Sequence, residues 1–211
     1  MTGIIAQNVG RTSGLIKAAS GGSGGVWTKI KTLTASGDGT LSFVDGGSDV
    51  TLDSTYPIYV FKFITIHPSG TGDTGAQFSF NFSVDSGSNY NVTKTTTWFE
   101  ASHRENDDGG ALGYNANRDL AQGTGFQVLS DNFDSHANDY NLGGYMYVYA
   151  PSDTTFVKHF IAVTNFTNSD YTFNAFIAGY GNNTSAVDAV QFKFSAGTVE
   201  AGDICLYGLT T

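Results

Sequence analysis

Four histidines, one cysteine and two acidic clusters are the residues of this chain whose chemistry could go beyond packing. His67, His103, His136 and His159 stand far apart, and no pair has the short spacing of a zinc-ligand motif. Each reads as a surface or packed histidine. Asp107 and Asp108 lie in the run Glu105-Asn106-Asp107-Asp108-Gly109-Gly110, and Asp131 and Asp134 flank a second acidic patch. Loop carboxylates of this kind could ligate calcium. No EF-hand loop or glycine-rich nonapeptide repeat accompanies them, so these four are weak calcium candidates, with solvated carboxylates as the expectation. A glycosidase would need Glu100 or Glu105 opposite a distant aspartate across a cleft. No G-x-S-x-G elbow and no phosphate loop is present. Cys205 alternates with Ile204 and Leu206 and has no evident thiolate-activating partner, so it reads as a small buried residue. The expectation is a protein without enzymatic activity and without a cofactor.

Aromatic residues offer a different chemistry. Rings on a β-sheet surface stack on sugars, and Asn or Asp side chains bond the hydroxyls. Trp27, Trp98, Tyr114, Tyr140 and the alternating Tyr145, Tyr147 and Tyr149 are the candidates. The competing reading, which the composition favours, is that these rings fill a core or a subunit interface.

The net charge of −9 argues against nucleic acid, because no net positive surface exists to displace counterions. It argues equally against anionic membrane surfaces, and no stretch is long and apolar enough for membrane insertion. The opening Met1-Thr2-Gly3-Ile4-Ile5-Ala6 lacks the basic and apolar regions of a signal peptide, so synthesis in a cytoplasm is expected. Asn-x-Ser/Thr triplets are then chance in a chain rich in those residues.

The elements that would position these groups divide into an arm and a domain. Residues 1–25 carry Arg11 and Lys17 and no acid, so they are +2, leaving −11 on the remainder. Two apolar pairs, Ile4-Ile5 and Leu15-Ile16, precede the linker Ser20-Gly21-Gly22-Ser23-Gly24-Gly25. Anchors and cations on a tether read as a docking arm. Residues 26–211 read as one all-β domain. Strands are expected at 26–34, 40–44, 58–66, 78–84, 90–99, 125–129, 144–150, 156–165, 171–180, 189–195 and 203–209, with one helical turn at 184–188. Phe78, Phe80 and Phe82 alternate with Ser79, Asn81 and Ser83, and 90–99 is the expected hairpin partner of that strand. Both faces of 58–66 look covered, and 100–143 reads as long loops around one short strand. About ten strands without intervening helices imply antiparallel pairing in two packed sheets, a sandwich of jelly-roll type.

The ends of the chain together resemble small virion structural proteins of marine and freshwater tailed phages. The residues that carry this are Gly3-Ile4-Ile5 and Ser13-Gly14-Leu15-Ile16 in the arm, Trp27 after the linker, and Val148-Tyr149-Ala150-Pro151. Gln191-Phe192-Lys193-Phe194-Ser195-Ala196-Gly197 and Leu206-Tyr207-Gly208-Leu209 complete it. The resemblance implies a virion location after assembly in the host cytoplasm. It implies either a capsid decoration (cement) protein or a tail-fibre appendage. The partners would be capsid or tail subunits and the chain itself as a homotrimer, with a host surface glycan as a further partner. The face bearing Tyr145, Tyr147 and Tyr149 is the candidate oligomer or glycan surface. A carbohydrate-binding, lectin-like module is the non-viral alternative.

Overall fold

The computed structural model describes residues 25–70, 75–133 and 137–210. The docking-arm residues Ile4, Ile5, Arg11, Leu15, Ile16 and Lys17, and also Asp134 and His136, lie outside the described residues. Those described form twelve strands and no helix, and so no helix long and apolar enough to cross a membrane. The strands are β1 (Trp27–Thr34), β2 (Leu41–Val44), β3 (Ile58–Pro68), β4 (Phe78–Ser83), β5 (Lys94–Arg104) and β6 (Gly110–Tyr114). They continue with β7 (Gln127–Val128), β8 (Leu142–Tyr149), β9 (Lys158–Asn168), β10 (Tyr171–Gly181), β11 (Ala189–Phe194) and β12 (Val199–Leu209).

Two antiparallel sheets pack face to face. The larger has the order β1-β12-β3-β8-β9-β10-β5-β6 and the smaller β2-β11-β4-β7. The expected two-sheet sandwich is therefore present, divided eight and four, with strands distant in sequence as neighbours in both sheets. Its core is built by side-chain alternation, which sends every second residue inward. Phe61 and Phe63 of β3 meet Phe43, Phe78 and Phe192 of the small sheet, with ring centroids 5.2–5.5 Å apart. Phe80 packs on Phe160 at 4.9 Å.

Several expectations are corrected. β5 is not the hairpin partner of β4: β4 pairs with β11 and β7, and β5 with β10 and β6. A hairpin would have put β4 and β5 side by side in one sheet, whereas residues 84–93 cross from the small sheet to the large one. Residues 100–143 contain the end of β5 and all of β6, which form a hairpin. Residues 184–188 form no helical turn. β9 begins at Lys158, which leaves Phe156 outside it and 70% exposed. β3 is an interior strand as expected, but its aliphatic phase breaks at Thr65, whose φ is +52°. The shift turns Ile66 into the core while Ile64 stays outside. Opposite it, Gly202 (φ +108°) lies within β12, which starts earlier than the strand expected at 203–209, and a Cβ there would sit 2.4 Å from the Thr65 carbonyl.

The polar side of β4 is buried as well. Asn81 donates through Nδ2 to the carbonyls of Tyr90 (2.6 Å) and Thr124 (3.0 Å), and Thr96 donates to Gln127 Oε1 (2.6 Å). These bonds close one edge of the sandwich with a polar seam that satisfies groups whose burial would otherwise be costly.

Candidate functional site

The feature that stands out is the outer face of the eight-stranded sheet. Register places its rows directly. Tyr207, Val60, Tyr147, Ile161, Ala178 and Thr97 are consecutive cross-strand partners. The next row runs Cys205, Lys62, Tyr145, Val163, Phe176, Phe99, Tyr114. Of ten exposed large hydrophobic residues among those described, eight stand on this face, from 36% exposure at Phe176 to 76% at Leu112. With about 150–250 Å² per aromatic side chain, they present roughly 700 Å² of apolar surface.

The face has an aromatic half and an aliphatic-aromatic half. On the β1 side Trp27 meets Tyr207 at 5.8 Å and Tyr147 at 6.3 Å, both edge to face. Lys62 Nζ lies 4.6 Å over the Trp27 ring and 5.2 Å over Tyr207, a cation–π contact. Tyr145, Tyr147 and Tyr149 form a ladder with spacings of 5.4 and 6.3 Å. Desolvation, followed by the neighbouring tyrosines, raises the Tyr147 pKa above its ordinary value. Val60 is fully covered beneath this layer although it faces away from the core. Cys205 is buried on the same side and accepts a hydrogen bond from Thr32 Oγ1 at 3.3 Å. On the β6 side Phe99 and Phe176 stack in parallel at 4.8 Å.

Between the halves lies a shallow depression of about 480 Å³. Tyr149, Tyr180, His159 and Ile161 wall it, with Thr95 and Thr97 along β5. Gln122 Nε2 donates to Thr95 Oγ1 (2.6 Å), and Asn182 Nδ2 donates to Gln122 Oε1 (2.8 Å), which gives the rim a fixed polar edge. Rings, hydroxyls and amides of this kind, with the His159 imidazole, can stack and hydrogen-bond.

The sequence-derived candidates separate. Tyr145, Tyr147 and Tyr149 share the exposed face as expected, and Trp27 joins them. Trp98 is fully buried and donates to Glu100 at 2.7 Å, and Tyr140 packs against the core, so neither can serve as a sugar platform. Tyr114 is 60% exposed and bonds to Asp119. The acidic residues pair with basic side chains of the chain: Asp107 lies 3.2 Å from His103, Asp108 is 3.1 Å from Arg104, and Asp131 meets Arg118. No three His, Cys, Asp or Glu are grouped to hold a metal among the described residues. Sequence reasoning missed Ile161, Phe176 and Phe99, because only cross-strand register shows that they share one surface. No family model, no curated protein and no solved structure matches the chain.

Proposed function

We propose that this chain is a non-enzymatic structural protein of a tailed-phage virion, a capsid decoration protein whose N-terminal arm docks on shell subunits. The observation that carries the reading is the broad aromatic face on the outer side of the large sheet, with Lys62 seated over Trp27 and Tyr207. Such a surface suits burial against protein, and about 800 Å² per partner makes a standard interface. In this reading three copies cover it mutually, while the arm of each, with Ile4, Ile5, Leu15 and Ile16 as anchors, engages the particle. Ordering a tether costs entropy, so one arm holds weakly, and joining arms in an oligomer raises the effective concentration and firms the attachment. Neither nucleic acid nor a membrane is a partner, and no cofactor takes part.

The test is a truncation. A chain lacking residues 1–20 should fold and remain soluble yet fail to bind particles that the full chain decorates. Wild-type incorporation of the truncated chain would refute arm docking. The depression walled by Tyr149, Tyr180 and His159 favours one second reading, a tail appendage or lectin-like module that takes a host glycan there. Strong, saturable binding to a defined sugar on a glycan array, lost in Tyr180→Ala, would favour that reading over decoration.

A further inference from the structure

The free edges of the two sheets differ in how they are protected. β1 carries Lys29 and Lys31, with a bulge between them, and both features discourage strand pairing. The small sheet ends in strands of four and two residues. β6 has none of these devices. Its residues Gly110-Ala111-Leu112-Gly113-Tyr114 include no charge and no proline, hold a regular register with β5, and are all exposed. Among the described residues nothing pairs with its outer edge.

The hydrogen-bond phase fixes which backbone groups are free. At one end of the β5–β6 hairpin the Arg104 N–H donates to the Gly109 carbonyl at 2.8 Å. At the other end the Asn115 N–H donates to the Trp98 carbonyl at 3.0 Å. Bonding alternates along an antiparallel ladder, so Ala111 and Gly113 are spent on β5. Gly110, Leu112 and Tyr114 turn their N–H and C=O groups to the open edge. These three residues are symmetric about Leu112. A second β6, laid antiparallel about a two-fold axis through Leu112, pairs Leu112 with its own copy and Gly110 with Tyr114 in both directions. About six hydrogen bonds then form and no free group of the strand is left over. Each Tyr114 ring lies across from a glycine, where no side chain obstructs it. The acidic turns at 105–108 fall at opposite ends of the paired strands, away from the axis.

We propose that β6 is a two-fold assembly edge that accepts a second copy of this chain by antiparallel strand pairing, continuing the large sheet from one molecule into the next. Leu112 and Tyr114, 76% and 60% exposed, are the apolar side chains the contact covers. That is about a few hundred Å² per copy, short of a standard interface, so isolated pairs associate weakly. Copies held side by side gain effective concentration and pair firmly. The contact uses neither the arm nor the tyrosine ladder, although Leu112 and Tyr114 stand at the β6 end of the same outer face.

The test is a cross-link in the full chain. Directly hydrogen-bonded antiparallel partners have Cα atoms about 5.5 Å apart, within the span of a disulfide. Under mild oxidation Leu112→Cys should give a disulfide-linked dimer, whereas Ala116→Cys, exposed but far from its symmetry mate, should cross-link at least about tenfold more slowly. Native Cys205 is buried and does not compete. Leu112→Pro deletes the N–H on the axis without touching the β5 ladder, and should abolish the non-covalent pair in sedimentation while leaving the β circular dichroism unchanged. Equal cross-linking of the two cysteine variants, with wild type and Leu112→Pro at the same mass, would overturn the proposal. A chain lacking residues 1–20 should still cross-link through Leu112→Cys, so failure of arm docking and failure of strand pairing read out separately.

Discussion

Lys94 offers a sharp test of the buried seam. Its side chain is fully buried, and Nζ donates to Asn81 Oδ1 at 2.5 Å and to the Val92 carbonyl at 2.7 Å. Both acceptors are neutral, so nothing offsets the cost of burying the ammonium, and desolvation pushes the pKa down from 10.5 to about 7. The unfolded chain keeps this proton up to its ordinary pKa, while the folded chain sheds it near neutrality. Between those values the unfolded state binds more protons, so this group makes folding more favourable as pH rises. The slope approaches about 1.4 kcal/mol per pH unit, or roughly 2–3 kcal/mol between pH 7 and pH 9. That contribution is complete above the unfolded pKa and is lost as pH falls through the folded one. Lys94→Met keeps most of the volume and removes the proton. It also leaves two buried oxygens without this donor, at about 1–3 kcal/mol. The variant should therefore lie closest to wild type at pH 6 and fall a further 2–3 kcal/mol or so behind by pH 9. Urea melts followed by the fluorescence of buried Trp98, at each pH from 6 to 9, measure the gap. A gap that stays constant across this range would refute the argument, because Lys94 would then titrate alike in both states.

Two further outcomes follow from the fold. Gly202→Ala places a methyl 2.4 Å from the Thr65 carbonyl at a φ of +108°, so it should cost at least about 2 kcal/mol of stability in a denaturant melt. The chain lacking residues 1–20 should unfold at the temperature of the full chain, since the described strands and loops enclose a continuous core of their own.

Much of the strand pattern was legible because alternation is a local signal. Phe78, Phe80 and Phe82, and likewise Tyr145, Tyr147 and Tyr149, announce both a strand and its faces. Sheet membership was not legible. β4 and β5 are adjacent in sequence and both alternate, yet β4 pairs with β11 and β7 and β5 with β10 and β6. β6 escaped because Gly-Ala-Leu-Gly-Tyr has none of the β-branched residues that mark strands. The bulge at Thr65 and Gly202 was hidden because Gly202 falls just before the strand expected at 203–209. The functional face was half visible: the tyrosine ladder lies on one strand, but Phe99 and Phe176 become one stacked pair only through the β5–β10 register.

The central claim is that the outer face of the large sheet is a subunit interface. Sedimentation of the full chain against the variant Ile161→Asp with Phe176→Asp tests it most directly, because both side chains point outward and support no part of the core. The account predicts that the wild-type chain sediments as an assembly and that the substitutions cut its mass by a factor of about three, with the strand content unchanged. Identical masses for the two proteins would contradict it.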